Sequence, residues 1–128
     1  MSHLLDTHAL VWWLTGAPLL SKTATTIIAD PQTDVFVSAV SAFEIANKVR
    51  IGKWHEAAVL ADDFEAIIEG ERFSPLSINQ HHAVMAGLLP GDHRDPFDRL
   101  LASQARSESL TLVTSDDAFS TFSVATVW

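Results

Sequence analysis

The apolar positions of this chain switch between two kinds of pattern. Short apolar or β-branched runs bounded by polar residues and turn formers predict strands over Ser2–Asp6, Asp34–Ser38, Arg72–Ile78, Leu110–Thr114 and Ser123–Val127. Between them, the longer spacing of apolar residues predicts helices over Ala9–Leu14, Ser21–Asp30, Ala39–Ile51, Ala57–Glu69, Asn79–Leu89 and Pro96–Ser109, with a short helical stretch over Asp117–Phe122. Gly16-Ala17-Pro18, Asp30-Pro31, Gly52, Gly70 and Pro90-Gly91-Asp92 supply the stops. In the fourth helix, Ala57, Leu60, Phe64, Ile67 and Ile68 share one face. Asp62, Asp63, Glu65 and Glu69 mostly fill the other, as a solvated surface does.

Strands that alternate with helices imply parallel neighbours, because a parallel pair needs a crossover connection. Right-handed crossovers then restrict the topology to a few doubly wound arrangements. The expected fold class is α/β, a three-layer α/β/α domain around a central, mainly parallel sheet, with residues 1–128 forming one domain. No internal repeat, linker or low-complexity segment interrupts it.

Composition changes this picture little. An apolar fraction of 48% with 19% charged residues describes a globular chain and excludes disorder. No apolar run approaches ~20 residues, so no membrane-spanning helix is expected, and no secretory leader is visible at the N-terminus. With no cysteine there is neither a disulfide framework nor a thiolate metal site, and a cytoplasmic location is expected. Charge matters more. The net charge of −8, from 16 acids against 8 Lys and Arg, disfavours a protein that grips nucleic acid with a broad basic face. It suits a basic partner, or a site whose acids are offset by bound cations.

Four acids stand at strand-to-helix junctions or helix starts. Asp6 follows the first strand, Glu44 lies in Ser41-Ala42-Phe43-Glu44 after the second, Asp98 closes Asp95-Pro96-Phe97-Asp98, and Asp116 follows Thr114-Ser115 after the fourth. Each has a structural explanation when taken alone. Asp6 or Thr7 has the position of a cap, Ser41 with Glu44 has capping-box spacing, Asp95-Pro96 with Asp98 matches an N-cap, an N1 proline and a first-turn acid, and Ser115 or Asp116 has the position of a further cap. Glu44 and Lys48 also form a favourable i,i+4 pair.

Taken together they say more. Every strand-to-helix turn of a parallel sheet lies at its C-terminal edge, so Asp6, Glu44 and Asp116 approach one another. Carboxylates sharing a site repel unless a cation lies between them. Oxygen ligands without cysteine or a histidine triad suit Mg²⁺ or Mn²⁺, and such ions promote phosphodiester hydrolysis. Asp98 follows a helix–turn–helix connection, so periodicity does not place it at the same edge.

These residues resemble the PIN-domain ribonucleases, in particular the VapC-type toxins of bacterial and archaeal toxin–antitoxin pairs. The likeness lies in Leu4-Leu5-Asp6-Thr7-His8-Ala9-Leu10-Val11-Trp12-Trp13, and in Val37-Ser38-Ala39-Val40-Ser41-Ala42-Phe43-Glu44-Ile45 with Lys48 and Gly52-Lys53. It continues in His93-Arg94-Asp95-Pro96-Phe97-Asp98-Arg99-Leu100-Leu101-Ala102 and Leu112-Val113-Thr114-Ser115-Asp116, in the family's order and over essentially the whole chain.

The resemblance implies a pocket in which Asp6, Glu44, Asp98 and Asp116 are catalytic and hold Mg²⁺ or Mn²⁺. It brings Asp98 into the pocket and leaves Asp116 or Asp117 to face the metal. Thr7, Ser41 and Thr114 become hydroxyls that orient the acids, and Asp95 caps or supports its helix. Lys48 and Arg99 are candidate substrate contacts, although exposed basic residues are common.

The activity implied is that of a type II toxin, a metal-dependent endoribonuclease that hydrolyses phosphodiester bonds of tRNA, rRNA or mRNA and so inhibits translation. The partners implied are a VapB-like antitoxin that inserts a basic residue into the acidic pocket, and a second copy of the chain in a homodimer. Two alternatives remain at this point: a catalytically silent PIN-fold binding module, and another phosphohydrolase on a doubly wound sheet. The second would want an Asp two residues after Asp6, where His8 stands. His81-His82 lacks the spacing of a zinc pair. Of the adjacent Trp12 and Trp13, one is expected to pack on the sheet and the other to reach the surface or a partner groove.

Overall fold

A computed structural model describes residues 1–128. Five strands, β1 (Ser2–Leu5), β2 (Asp34–Ser38), β3 (Ser74–Leu76), β4 (Thr111–Val113) and β5 (Thr126–Val127), form one sheet in the order β3-β2-β1-β4-β5. Every pairing is parallel, with Leu4 beside Phe36 on one flank and beside Leu112 on the other. The helices are α1 (Thr7–Thr15), α2 (Lys22–Ala29), α3 (Ala39–Arg50), α4 (Ala58–Asp62), α5 (Phe64–Gly70), α6 (Gln80–Leu88) and α7 (Pro96–Ser107), with 3-10 turns at His55–Ala57 and Asp117–Phe122.

The twofold alternation of strand side chains divides the core into two. Leu5, Val35, Val37 and Val113 point to one face of the sheet, where Leu10 and Val11 of α1, Ile28 of α2, Leu60 of α4 and Ile68 of α5 cover them. Leu4 and Leu112 point to the other, under Leu101 and Ala105 of α7 together with Phe119 and Phe122. The three-layer α/β/α arrangement follows, as does the near-continuous burial of β1.

Two elements differ from the sequence expectation. The single helix over Ala57–Glu69 is instead a 3-10 turn, α4 and α5, broken at Asp63, whose backbone leaves the helical region (φ −144°, ψ 44°). Asp is a poor residue for a helix interior, and Asp62-Asp63 supplies two in succession. Strand β3 is only three residues long, against the seven of Arg72–Ile78. It lies at the sheet edge, where Pro75 is tolerated because its missing N–H faces no further strand.

The order β3-β2-β1-β4-β5 places the topological switch between β1 and β4, because the chain leaves β1 toward β2 on one side and pairs it with β4 on the other. In open parallel sheets the crevice beyond this point, at the carboxyl ends of the strands, is where ligands bind.

Candidate functional site

Asp6 leaves β1 at this crevice and serves as both cap and site residue. Its Oδ1 accepts the Ala9 N–H at 2.7 Å, which caps α1. Its Oδ2 accepts the hydroxyl of Thr114, just past β4, at 2.5 Å. The same Thr114 oxygen accepts the Asp116 N–H at 3.0 Å, which fixes the turn that carries Asp116. Asp6 is only 6% exposed, and burial pushes its carboxyl above the usual range. The hydrogen bonds from Thr114 and Ala9 and the charge of His8 oppose that rise, while the charge of Asp116 adds to it.

Glu44 comes from α3. The helix is capped by Ser38, whose hydroxyl oxygen accepts the Val40 N–H at 2.9 Å, so the Ser41–Glu44 capping-box reading gives way to a different role for Ser41. Ser41 is fully buried and shares a 3.0 Å hydrogen bond with Thr7, joining the first turns of α1 and α3. Glu44 lies three residues on, on the same helix face, 6% exposed, and its Oε2 accepts from Lys48 Nζ at 2.7 Å. Phe43 and Phe97, with ring centres 5.8 Å apart, bring the starts of α3 and α7 together.

Asp98 sits in the first turn of α7. Asp95 caps that helix through the Phe97 N–H at 2.9 Å, and Pro96 opens it. The Asp98 carboxyl is pushed up to about 6, first by burial and then by the charges of Asp95 and Asp116, against the pull of a 2.7 Å hydrogen bond with His93. Asp116 therefore acts on both Asp6 and Asp98, whereas Asp117 acts on neither. Of the two adjacent acids, Asp116 is the one whose charge bears on Asp6 and Asp98. Asp98, which spacing could not place, stands beside it.

The four acids thus come from four separate segments and supply only oxygen donors: Asp116 bears on Asp6 and Asp98, and the helix of Glu44 is tied to that of Asp6 through Ser41 and Thr7. They do not form a ready ligand set: no three His, Asp or Glu side chains are arranged to hold one ion. Glu44 is engaged by Lys48, and Asp98 by His93. Neither Asp6, Asp98 nor Asp116 has a lysine or arginine partner. A groove of about 740 Å³ between α3, α5 and β3 is lined by none of the four.

Arg99 has a role other than the substrate contact expected from sequence. Its guanidinium donates to the carbonyls of Ala86, Leu89 and His93, and at 3.4 Å to that of Gly87. It closes the C-terminal end of α6 and ties down the loop carrying His93. Lys48 remains beside the acids, bound to Glu44 and lying over the ring of Trp54.

Two features escaped the sequence reading. One is His93, five residues before Asp98, which only the turn at Asp95-Pro96 brings within reach. The other is a buried polar chain behind the site. Gln104, fully buried on α7, accepts the Ser38 hydroxyl at 2.5 Å and donates to the Ser77 carbonyl at 3.2 Å. His82 accepts the Asn79 N–H on Nδ1, so Nε2 carries the proton that is donated to Glu108 at 2.9 Å. Gln104→Leu would strand the Ser38 hydroxyl in the interior and remove the bond to the Ser77 carbonyl. The expected cost is about 2–3 kcal/mol, read as a lowered midpoint in urea denaturation. A change under ~0.5 kcal/mol would show that the chain of bonds contributes little.

Comparison with known proteins agrees with this architecture. No curated protein matches the sequence. Among solved structures, a chain of the VapBC2 assembly of Rickettsia felis, solved with a DNA fragment from its promoter, superposes with a TM-score of 0.74 at 19% identity, covering 99% of this chain and 98% of that one. A chain of FitAcB from Neisseria gonorrhoeae gives 0.65 at 22% identity, covering 100% and 97%. One from a toxin–antitoxin complex of Klebsiella pneumoniae gives 0.66 at 18%, covering 98% and 96%. At these identities the likeness establishes the fold alone. The family model described as "PIN domain" matches residues 3–124, nearly the whole length, and the chain belongs to the PIN domain family.

Proposed function

We propose that this chain is the toxin of a type II toxin–antitoxin pair, an endoribonuclease that needs Mg²⁺ or Mn²⁺ and hydrolyses phosphodiester bonds of tRNA, rRNA or mRNA, so inhibiting translation. One observation carries the reading. Asp6 and Asp98 are both desolvated and both repelled by Asp116, with no lysine or arginine placed to relieve them. A fold that used these residues only as caps would have no reason to bear that cost. This speaks against the catalytically silent alternative.

The donor chemistry fits a hard divalent ion: carboxylate oxygens only, with no lysine or arginine paired to Asp6, Asp98 or Asp116. Asp6, Glu44, Asp98 and Asp116 would hold it, and there it would polarise a phosphoryl oxygen and acidify water. The chain's own residues do the positioning. Ala9 and Thr114 hold one oxygen of Asp6 each, so its carboxylate cannot rotate freely. Thr7 and Ser41 lock the helix that presents Glu44 to the helix that begins at Asp6. Asp95 fixes the first turn of α7 and with it Asp98.

The partner in this reading is a VapB-like antitoxin that inserts a basic residue among the acids, in keeping with a net charge of −8. One of the similar solved chains comes from a toxin–antitoxin complex. A homodimer and a cytoplasmic site of action belong to the same proposal, and no helix is long and apolar enough to cross a membrane. Cleavage of a structured RNA is expected with Mg²⁺ or Mn²⁺, lost in EDTA and restored when the ion is added back. Cleavage that persists without divalent ions would overturn the assignment. Co-purification from the native host tests for the antitoxin.

A further inference from the structure

Beside the acids runs a ladder of aromatic rings that the proposed chemistry does not use. His8, two residues past Asp6 on the first turn of α1, is exposed, with its ring centre 5.5 Å from that of Trp12 and 5.1 Å from that of Trp54. Trp12 in turn meets Trp128 edge-on at 5.7 Å. At the other end, Lys48 Nζ lies 5.2 Å from the Trp54 ring centre and 2.7 Å from Glu44 Oε2. The ladder therefore begins at one of the four acids. Trp54, 8% exposed, is its floor, while His8 and Trp12 retain surface. Packing alone does not account for an exposed imidazole in such a row, since Trp54 already fills the core side.

Charge points the same way. Three of the 8 basic residues, Lys48, Arg50 and Lys53, occupy the stretch that leads into Trp54. Arg99 and Arg106, by contrast, donate to backbone carbonyls. Aromatic faces bordered by cations are how proteins hold unpaired nucleotides: bases stack on the rings and phosphates meet the charges. Duplex bases have no free faces to offer.

We propose that His8 and Trp12, backed by Trp54 and Lys48, form a stacking subsite for unpaired bases of single-stranded RNA next to the four acids. This rests on the nuclease reading above and assigns the residues that would hold the nucleotides flanking the cleaved bond.

The test is binding by the full-length chain in EDTA, where the proposed cleavage is off, read by quenching of tryptophan fluorescence. The probes are an oligo(A) RNA, a strand of equal length and charge carrying abasic sites, and an RNA duplex. Oligo(A) is expected to bind about tenfold more tightly than the abasic strand, and the duplex to bind no better than the abasic strand. His8→Ala should weaken oligo(A) binding about tenfold and leave the abasic strand unchanged, while His8→Tyr, which keeps a ring, should recover it. Equal affinity for base-bearing and abasic strands overturns the proposal, as does equal loss of both in His8→Ala, or a duplex preferred over single strands. Should RNA cleavage in Mg²⁺ fail while binding depends on bases, the nuclease reading falls and the stacking site stands. Cleavage without base-dependent binding has the opposite meaning.

Discussion

Asp6→Asn is expected to leave a folded protein whose RNA cleavage is lower by about 10³-fold or more, equal to ~4 kcal/mol of transition-state stabilisation. The amide preserves the shape of the side chain and its oxygen still accepts from Ala9, but its nitrogen cannot accept from Thr114 and it carries no charge to share with a cation. Loss of the charge favours the folded state at neutral pH, because folding holds this carboxyl above its ordinary range, while loss of the Thr114 hydrogen bond opposes it. Asp98→Asn makes the sign explicit. Its carboxyl rises from 3.8 to about 6 on folding. A raised folded-state value adds stability that is fully present below pH 3.8 and is lost as pH climbs through about 6.

At pH 7 the charged form is thus a liability. The shift corresponds to ~3 kcal/mol at most, and to about 1–2 kcal/mol once the partial exposure of Asp98 is allowed for. Urea denaturation at pH 4.5 and 7 checks it: the advantage of Asp98→Asn over the parent should grow between the two. A parent as stable as the variant at pH 7 would contradict the desolvation argument. Added Mg²⁺ should stabilise the parent and not Asp6→Asn, which is a readout independent of activity.

Arg99→Ala is expected to cost about 3 kcal/mol and to lower the melting temperature by roughly 10 °C, given ~3 °C per kcal/mol for a chain of this size. Helix α6 ends at Leu88, and its last carbonyls have no partner within the helix. The guanidinium satisfies those of Ala86 and Gly87 together with Leu89 and His93, and so holds the loop that presents His93 to Asp98. Arg99→Lys should recover little, since an ammonium cannot span a fork of carbonyls. Calorimetry decides the matter, and a melting temperature within a degree or two of the parent would reject the anchoring role.

The strands were legible because a buried parallel strand is a short apolar run with turn formers at both ends, as Leu4-Leu5 and Leu112-Val113 are. Their alternation with helices then left few topologies, and the switch point between β1 and β4 came with the one that forms. The break at Asp63 was hidden, because the apolar face continues through it and only the backbone departs. Asp98 could be approached through the family resemblance but not through spacing, since its neighbours in space, Asp116 and His93, are set by the packing of α7 and the turn at Asp95-Pro96. Arg99 misled for a simpler reason. A cation beside acids reads as a ligand contact, and nothing in a sequence tells a phosphate from a row of unpaired carbonyls.

The hydrogen bond from Thr114 to Asp6 joins residues 108 positions apart. Strand β1 occupies the middle of the sheet, yet one of its two neighbours, β4, follows it in the chain only after seven helices and two other strands. During synthesis Asp6 therefore waits for more than a hundred residues without the hydroxyl of Thr114 that orients it or the carboxylate of Asp116. Contacts of such sequence separation close late. The crevice, with any activity it carries, is by this arrangement completed only when the late strands β4 and β5 have emerged.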